Sequence, residues 1–391
     1  MKSDFEAGAN CAAMAYGTPF TEEEELYRRT VRTFIEREIA PRYHAISARG
    51  EDRLALWRKA GEAGLLGACI PEQFGGPGAT TICNVILSYE LARSEAYATM
   101  GSFVTTDMAT SILVEANAEA LLHQWAPKIL AGEAIQCLAL TEPDAGSDAA
   151  AIRATAVREG DHYVINGNKT FITNGDLAHL IYVVVKTDPA LRAKGMSILL
   201  VEGDTPGVTR HPLKTMGFAA GNTAELSFDN VRVPVSNLVG AEGGAFKLMM
   251  AGISADRLQL ASRGLAQAEL AYELTVEHVK QRKAFGSTLF GFQNTQFKLA
   301  EVRTEIEAGR AFFNETVRKV RAGICTDADS AMLKLWLSDM SARAIDTCLQ
   351  FFGGSGVMDE MPISRIYSSN RVLRIYGGTS EILKLLIARS I

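Results

Sequence analysis

The sequence lacks the basic face that nucleic-acid-binding proteins need. Its formal net charge is −5 over 391 residues, and no run of Lys or Arg is longer than two residues. Such a chain predicts no nucleic-acid partner. An anionic ligand would have to be held by a few placed cations and by backbone dipoles.

Long hydrophobic runs are also missing. The longest apolar stretches, such as Leu180 to Val185, are far shorter than the roughly 18 residues of a membrane span. The first 20 residues contain Asp4 and Glu6 and no continuous apolar segment, which predicts an N-terminal extension rather than a secretion signal. We therefore expect no membrane association.

Neither the cysteines nor the histidines show ligand spacing. There is no CxxC pair, and the six histidines form no HxxxH or HExxH pattern. This distribution predicts no metal site, reduced thiols and a cytoplasmic location. The six cysteines are Cys11, Cys69, Cys83, Cys137, Cys325 and Cys348.

The chain contains three stretches that differ in the periodicity of their hydrophobic residues. Hydrophobic residues make up 47% and charged residues 22%, which is ordinary globular composition. The first and last stretches show helical periodicity, and the middle one contains short β-branched runs. This order predicts a mainly α protein with a middle β domain, and not the alternating strands and helices of a Rossmann fold. The predicted divisions are an extension at 1–20, an α-helical domain at 21–135, a β domain at 136–240 and an α-helical domain at 241–391.

Turn residues and caps place the individual elements. Thr21 predicts the N-cap of a first helix that ends near Pro41, and a second helix is expected around Val85 to Ala92. Asn166-Gly167 and Asn174-Gly175 predict turns between strands. Strands are predicted at 162–165, 181–186, 198–201 and 224–228, and C-terminal helices at 255–281, 295–322, 326–351 and 379–388.

Two segments of the β region could contact a flat, phosphorylated ligand. In TEPDAGSD, residues 141–148, small residues would let backbone N–H groups approach a phosphate or a ring. In INGNKTFITNG, residues 165–175, strand alternation would place Phe171 and Thr173 on one face, where they could stack on a heterocycle and hydrogen-bond to it. Taken alone, each segment is more often structural: the first a hairpin or a loop that begins a helix, the second a hairpin.

Three further segments lie in the C-terminal region. Arg282 to Gly286 ends the longest helix, with Gln293 shortly after; an Arg there suits a pyrophosphate but is also an ordinary helix terminus. Gln350 to Gly356 and Tyr376 to Glu381 are glycine-rich. The second of these precedes the last helix, where an anion or a cofactor edge could be held.

In this order and spacing, the segments resemble those of the acyl-CoA dehydrogenase family, from about Glu22 to Arg389. The resemblance implies an N-terminal helical domain, a small β-barrel-like domain and a C-terminal four-helix bundle, assembled as a homotetramer with FAD. It also implies an acyl-CoA substrate and an electron-transferring flavoprotein as acceptor. The segments are TEPDAGSD, INGNKTFITNG, the MGF…F..VRVP stretch from Met216 to Pro234, QRKAFG, QFFGGSG and IYGGTSEI.

The resemblance also implies which residues form the sites. The FAD of the same subunit would contact Leu140, Thr141, Gly146, Ser147, Phe171, Thr173, Thr379 and Glu381. The FAD of a neighbouring subunit would contact Arg282, Phe285, Gln293, Gln350, Gly353 and Gly354. The acyl-CoA channel would be lined by Ser147, Arg257, Gly377 and Gly378.

One position departs from the common pattern of the family. Many members carry the catalytic base as Glu in a Tyr-Glu-Gly-Thr motif, where this chain has Gly377. Members that resemble the long-chain and isovaleryl-CoA dehydrogenases place a Glu before an Arg on the long C-terminal helix. The corresponding pair here is Asp256-Arg257, so Asp256 is the candidate base. Its other interpretation is an Asp in a first helical turn, favoured by the helix dipole.

The expected chemistry is α,β-dehydrogenation of an acyl thioester to the trans-2-enoyl product. Asp256 would take the α-proton, flavin N5 would accept the β-hydride, and the Gly377 N–H would hydrogen-bond the thioester carbonyl. Gly377 and Gly378 would leave room for a long or branched acyl group. The alternatives are another reaction on the same fold, a substrate carried by acyl carrier protein, or a non-catalytic flavin- or acyl-CoA-binding protein.

The length of the predicted helix separates two groups of these residues. If residues 256 to 282 form one helix, Asp256 and Arg282 lie about 39 Å apart at 1.5 Å per residue. That distance is too large for one compact active site. Arg282 would therefore serve another site, for which the cofactor of a partner subunit is the natural candidate.

Overall fold

The computed structural model describes residues 18–42, 46, 53–94, 102–217 and 221–391. Most of the predicted extension at 1–20, including Cys11, lies outside the described residues. Thr21 begins the first helix as predicted, since its hydroxyl accepts the Glu24 N–H while the Glu24 carboxylate accepts the Thr21 N–H. The N-terminal helices are α1 (Glu22–Phe34), α2 (Arg53–Glu62), α3 (Thr81–Ala92), α4 (Ser102–Glu115) and α5 (Glu119–Leu130).

A mixed sheet follows, in the order β1-β4-β2-β3-β7-β6, with β5 paired to β4. Strand β4 is an apolar run because both of its faces are buried: Tyr182 packs toward α4 and α5, and Val183 packs toward β3 and β7. The strands are β1 (Gln136–Ala139), β2 (Thr155–Glu159), β3 (His162–Ile172), β4 (Leu180–Lys186), β5 (Met196–Glu202), β6 (Val208–Pro212) and β7 (Ala224–Pro234).

The predicted turn at Asn166-Gly167 is wrong, because β3 continues through it. The pairing with β7 shifts between Ile165 and Gly167, which makes the dipeptide a bulge within one strand. Gly167 is required there: its φ is +144°, and a Cβ on it would lie 2.5 Å from the Cβ of Ala154. The short polar strands β2 and β6 were not predicted.

Five α-helices and a short hairpin, in which Lys283–Ala284 pairs with Ser287–Thr288, complete the described fold. The longest, α6, begins at Ala245, ten residues earlier than predicted. Its first turns are stabilised by packing of Ala245 into the core between α4, α5 and the sheet, which the local sequence does not reveal. The nine-residue α9 was not predicted. These helices are α6 (Ala245–Gln281), α7 (Gln293–Arg321), α8 (Asp327–Gln350), α9 (Pro362–Asn370) and α10 (Ser380–Ala388).

Helix α6 is the centre of the molecule. Every residue from Arg257 to Glu269 is buried, because α6 packs against α3 on one side and α7 and α8 on the others. One apolar cluster joins the N-terminal and C-terminal helices through residues such as Ile86, Leu258 and Leu337. In the part of the chain that the structure describes, no helix combines the length and apolarity needed to cross a bilayer.

Candidate functional site

A cavity of about 500 Å³ lies where α3, α4 and α6 meet. It is bounded by helices that belong to both helical regions, so the shared core holds its walls in place. Its size suits a small organic group. Polar side chains on its walls include Asn84, Asp107, Ser111, Asp256 and Gln259.

Asp256 lines this cavity from a position three full turns into α6. The expectation of a first-turn Asp is therefore wrong, since the helix dipole acts only within the terminal turn. Burial raises the pKa of the Asp256 carboxyl to about 7, and the Arg257 guanidinium opposes that rise only in part. Among the described residues, the Asp256 side chain has no hydrogen-bond partner and no ion-pair partner. Its carboxyl group is therefore available to a substrate.

Arg257, the next residue, is buried. Two of its guanidinium nitrogens, Nε and Nη1, have no hydrogen-bond partner among the described residues. Burial also lowers the pKa of Arg257. Unpaired donors of this kind are costly in a protein interior, which favours a ligand group that accepts hydrogen bonds from Arg257.

Gly377 lies beside the Asp256 face of α6. A Cβ built on Gly377 would be 2.2 Å from Cδ1 of Leu260, which follows Asp256 by one helical turn, about 6 Å along the axis. The expectation that Gly377 leaves open space is therefore corrected, because Leu260 fills it. Gly377 has a φ of +63°, and its N–H donates to no group in the described chain.

The two cofactor-like segments of the β region are joined directly. The Thr170 N–H donates to the Thr141 carbonyl at 2.9 Å. Lys169 Nζ donates to the Leu140 carbonyl at 3.0 Å and to Glu142 Oε1 at 2.7 Å, and both of these charged side chains are buried. Sequence reasoning missed the Lys169–Glu142 pair. Its signal was Lys169, the one charged residue of INGNKTFITNG, which calls for an acidic partner such as those in TEPDAGSD.

Phe171 extends from this junction with 68% of its surface exposed. Its backbone is left-handed, with a φ of +59°, so the alternation that predicted a common face with Thr173 breaks at Phe171, and β3 ends at Ile172. Ser147 is exposed, and a Cβ on Gly146 would meet no atom within 4 Å. An exposed ring on one segment and an open backbone on the segment bonded to it fit a flat heterocycle with a phosphate tail.

A second group lies at the opposite end of α6. Arg282 follows the last residue of this continuous helix, about 39 Å from Asp256. His278 stacks on Phe352 with ring centroids 4.3 Å apart, which brings Gly353 and Gly354 to the same end. Their backbones are open, since Cβ atoms there would meet nothing within 4 Å. Gln293, Gln350 and Phe285 are exposed, and Phe285 is 99% exposed.

Thr379 and Glu381 lie at the beginning of α10. The Thr379 hydroxyl accepts the Ile382 N–H at 3.3 Å and caps the helix. Glu381 is exposed, and hydrogen bonds from its own N–H and from Thr379 lower its pKa. Thr379 follows Gly378 directly and Glu381 lies three positions after it, so both are on the Asp256 side of the molecule rather than at the Arg282 end.

Comparisons with known proteins cover nearly the whole chain. Three family models match: acyl-CoA dehydrogenase N-terminal domain over residues 21–133, middle domain over 137–231 and C-terminal domain over 243–391. The long-chain specific acyl-CoA dehydrogenase of Rattus norvegicus is 37% identical over 95% of this chain and 87% of its own length.

Solved structures agree with these matches. An acyl-CoA dehydrogenase from Geobacillus kaustophilus has a TM-score of 0.90 at 39% identity, over 95% of this chain and 98% of that one. A glutaryl-CoA dehydrogenase from Mycobacterium smegmatis, solved in complex with FADH2, has a TM-score of 0.83 at 27% identity, over 95% of each chain.

Proposed function

Because the chain belongs to the acyl-CoA dehydrogenase family, we propose that it oxidises an acyl-CoA thioester to its trans-2-enoyl product with Asp256 as the α-proton acceptor. The observation that carries the proposal is the position of Asp256 on the cavity wall, one turn from the residue that contacts Gly377. Gly377 has no side chain to act as a base.

FAD is the cofactor of this enzyme, as in its family. The exposed Phe171 ring and the open backbone at Gly146 fit such a group. When bound, FAD supplies the acceptor for the hydride of the β-carbon. We propose that it is held in one subunit by Leu140, Thr141, Gly146, Ser147, Phe171, Thr173, Thr379 and Glu381.

The chain's own groups would acidify and remove the α-proton. The Gly377 N–H would donate to the thioester carbonyl, which stabilises the charge that develops there. Asp256 would accept the proton, and a carboxyl pKa of about 7 suits a general base at neutral pH. Ser147, Arg257 and Gly378 would complete the substrate channel.

The partners are part of the same proposal. Arg282, Phe285, Gln293, Gln350, Gly353 and Gly354 would contact the FAD of a second subunit in a homotetramer, which is supported by their exposure on one surface away from Asp256. The proposal that an electron-transferring flavoprotein accepts the electrons rests on family membership. A cytoplasmic location rests on the spacing of the cysteines, and the five described ones carry free thiols.

The decisive experiment uses the purified holoenzyme and a panel of acyl-CoAs without oxygen. We expect loss of the yellow colour and formation of an enoyl-CoA with the preferred substrate. Asp256→Asn should lower the rate by about 10²- to 10⁴-fold with FAD content unchanged, because only the base is removed. Asp346→Asn, an exposed residue of α8, is the matched control and should retain full activity.

Other outcomes would replace the proposal. Unchanged turnover in Asp256→Asn would show that another group is the base. Bleaching without an enoyl product would indicate a different reaction on the same fold, and activity only with acyl carrier protein thioesters would change the carrier. No response to any thioester would favour a binding protein.

A further inference from the structure

Lys334 is a buried cation whose function the proposed chemistry does not explain. Its side chain has no exposed surface, and its Nζ donates to the Gly378 carbonyl at 2.7 Å. Within the described chain it forms no ion pair with a carboxylate. Burial and the nearby Arg257 charge lower its pKa to about 8. A buried ammonium beside a second cation is unfavourable unless its hydrogen bond matters.

A second buried cation holds the other side of the same loop. Arg263, on α6, donates one guanidinium N–H to the Tyr376 hydroxyl and another to the Ser369 carbonyl. Tyr376 and Gly378 flank Gly377 in the chain. The loop is therefore fixed on both sides of Gly377 by side chains from α6 and α8.

The loop needs such anchors because of its glycines. Gly377 and Gly378 have φ values of +63° and +88°, which is a left-handed conformation. Glycine adopts this conformation easily, but it adopts negative φ values about as readily. Without an anchor, two consecutive glycines would sample many backbone directions. The Gly377 N–H would then point toward a thioester carbonyl only part of the time.

We infer that Lys334 is a positioning residue, which holds the Gly378 carbonyl and so aims the Gly377 N–H at the thioester carbonyl. The inference rests on the proposed function of Gly377. Lys334 itself would not touch the substrate. Its contribution to the rate would come through the loop, since a misplacement of about 1 Å at a reacting centre can lower a rate by about 10²-fold.

The test replaces Lys334 with a residue of similar side-chain volume that cannot donate a hydrogen bond. Lys334→Met keeps the unbranched stem, removes a buried charge beside Arg257 and leaves the Gly378 carbonyl without its donor. We expect kcat to fall by about 10- to 100-fold with a smaller change in KM, because the lost interaction strengthens in the transition state. Lys334→Gln restores an N–H donor of shorter reach and should recover part of kcat.

A direct readout of the hydrogen bond separates positioning from general stability. The enoyl-CoA product of the best substrate, labelled with ¹³C at the thioester carbonyl, is bound to the oxidised holoenzyme for infrared difference spectroscopy. In the wild type, hydrogen bonding should lower the carbonyl frequency below its value in water. Lys334→Met should lose most of that shift. Lys298→Met, an exposed lysine substitution on α7, should match the wild type.

The outcomes distinguish this inference from the identity of the base. Asp256→Asn should lose turnover and keep the infrared shift of the thioester carbonyl. Lys334→Met should lose part of its turnover and part of that shift. A wild-type shift and wild-type kcat in Lys334→Met would overturn the positioning role even if Asp256 is the base. Failure of both Lys334 variants to fold with FAD bound would assign Lys334 to the fold alone and overturn it as well.

Discussion

At the scale of single residues, Asp256 combines two properties that seldom occur together. It lies inside a long helix, beyond the reach of the helix dipole, and it has no hydrogen-bond donor in the described chain. Of the described residues, only Arg257 opposes the effect of burial on the pKa of Asp256. An Asp in this environment can act as a base near neutral pH, where an exposed Asp would be too weakly basic.

This environment predicts the pH dependence of the reaction. The raised pKa of about 7 means that Asp256 is protonated, and inactive as a base, below pH 7. We expect kcat/KM to fall about tenfold for each pH unit below 7 and to level off above it. Steady-state rates from pH 5.5 to 9 with the preferred acyl-CoA would measure this. Asp107 also lines the cavity, but its pKa is about 6. If Asp107 were the base, kcat/KM would begin to fall one pH unit lower.

The Leu260 side chain occupies the space that a side chain on Gly377 would need. Gly377→Ala would place a Cβ 2.2 Å from Leu260 at a left-handed φ, so we expect a loss of about 1 to 3 kcal/mol and a lower melting temperature of the holoenzyme. Leu260→Ala should relieve the contact. In that background, Gly377→Ala should cost less, and an equal cost in both backgrounds would show that the two residues do not interact.

At the scale of elements, the sequence predicted what is local and missed what depends on packing. Thr21 caps its helix because a Ser/Thr-x-x-Glu pattern acts within one turn. The start of α6 at Ala245 and the bulge at Asn166-Gly167 depend on contacts with distant segments, so the local pattern misplaced both. The contact between Leu260 and Gly377 joins residues more than a hundred positions apart, and only the fold reveals it.

The junction between TEPDAGSD and β3 carries a prediction about cofactor retention. Glu142 also accepts the N–H groups of Arg153 and Ala154, at 2.6 and 3.0 Å, so one carboxylate holds three donors. Glu142→Gln leaves Lys169 buried without a counter-charge, which costs about 3 to 5 kcal/mol when a buried pair is broken. We expect weaker FAD retention and a lower melting temperature.

The measurement for Glu142→Gln is the flavin-to-protein absorbance ratio after gel filtration, with a thermal melt. Glu159→Gln is the matched control, since Glu159 forms an exposed pair with Arg232 at 3.0 Å that contributes little. Equal FAD content and equal melting temperatures in the two variants would contradict the importance of the buried pair.

At the scale of the whole molecule, α6 separates the two groups of residues to which we assign functions. Asp256 and the Gly377 loop lie near its beginning, and Arg282 follows its last turn. One continuous helix cannot bend to bring both to the same ligand. Each subunit would therefore contribute a base to its own active site and a guanidinium to that of a neighbour. Phe285, almost fully exposed, lies at the end that would be covered by the second subunit.

This division of labour predicts complementation between two defective variants. Asp256→Asn lacks the base but keeps Arg282, and Arg282→Ala keeps the base but should bind its partner's FAD weakly, because a guanidinium pairs strongly with pyrophosphate. In a mixed pair, the site that contains Asp256 receives Arg282 from the other subunit and is intact. With random pairing, about one quarter of all sites should be of wild-type composition. Turnover per subunit after co-expression, compared with separately purified variants mixed afterwards, measures this. If Arg282 served its own subunit's cofactor, no intact site could form, and co-expression would yield only the mean of the two variants.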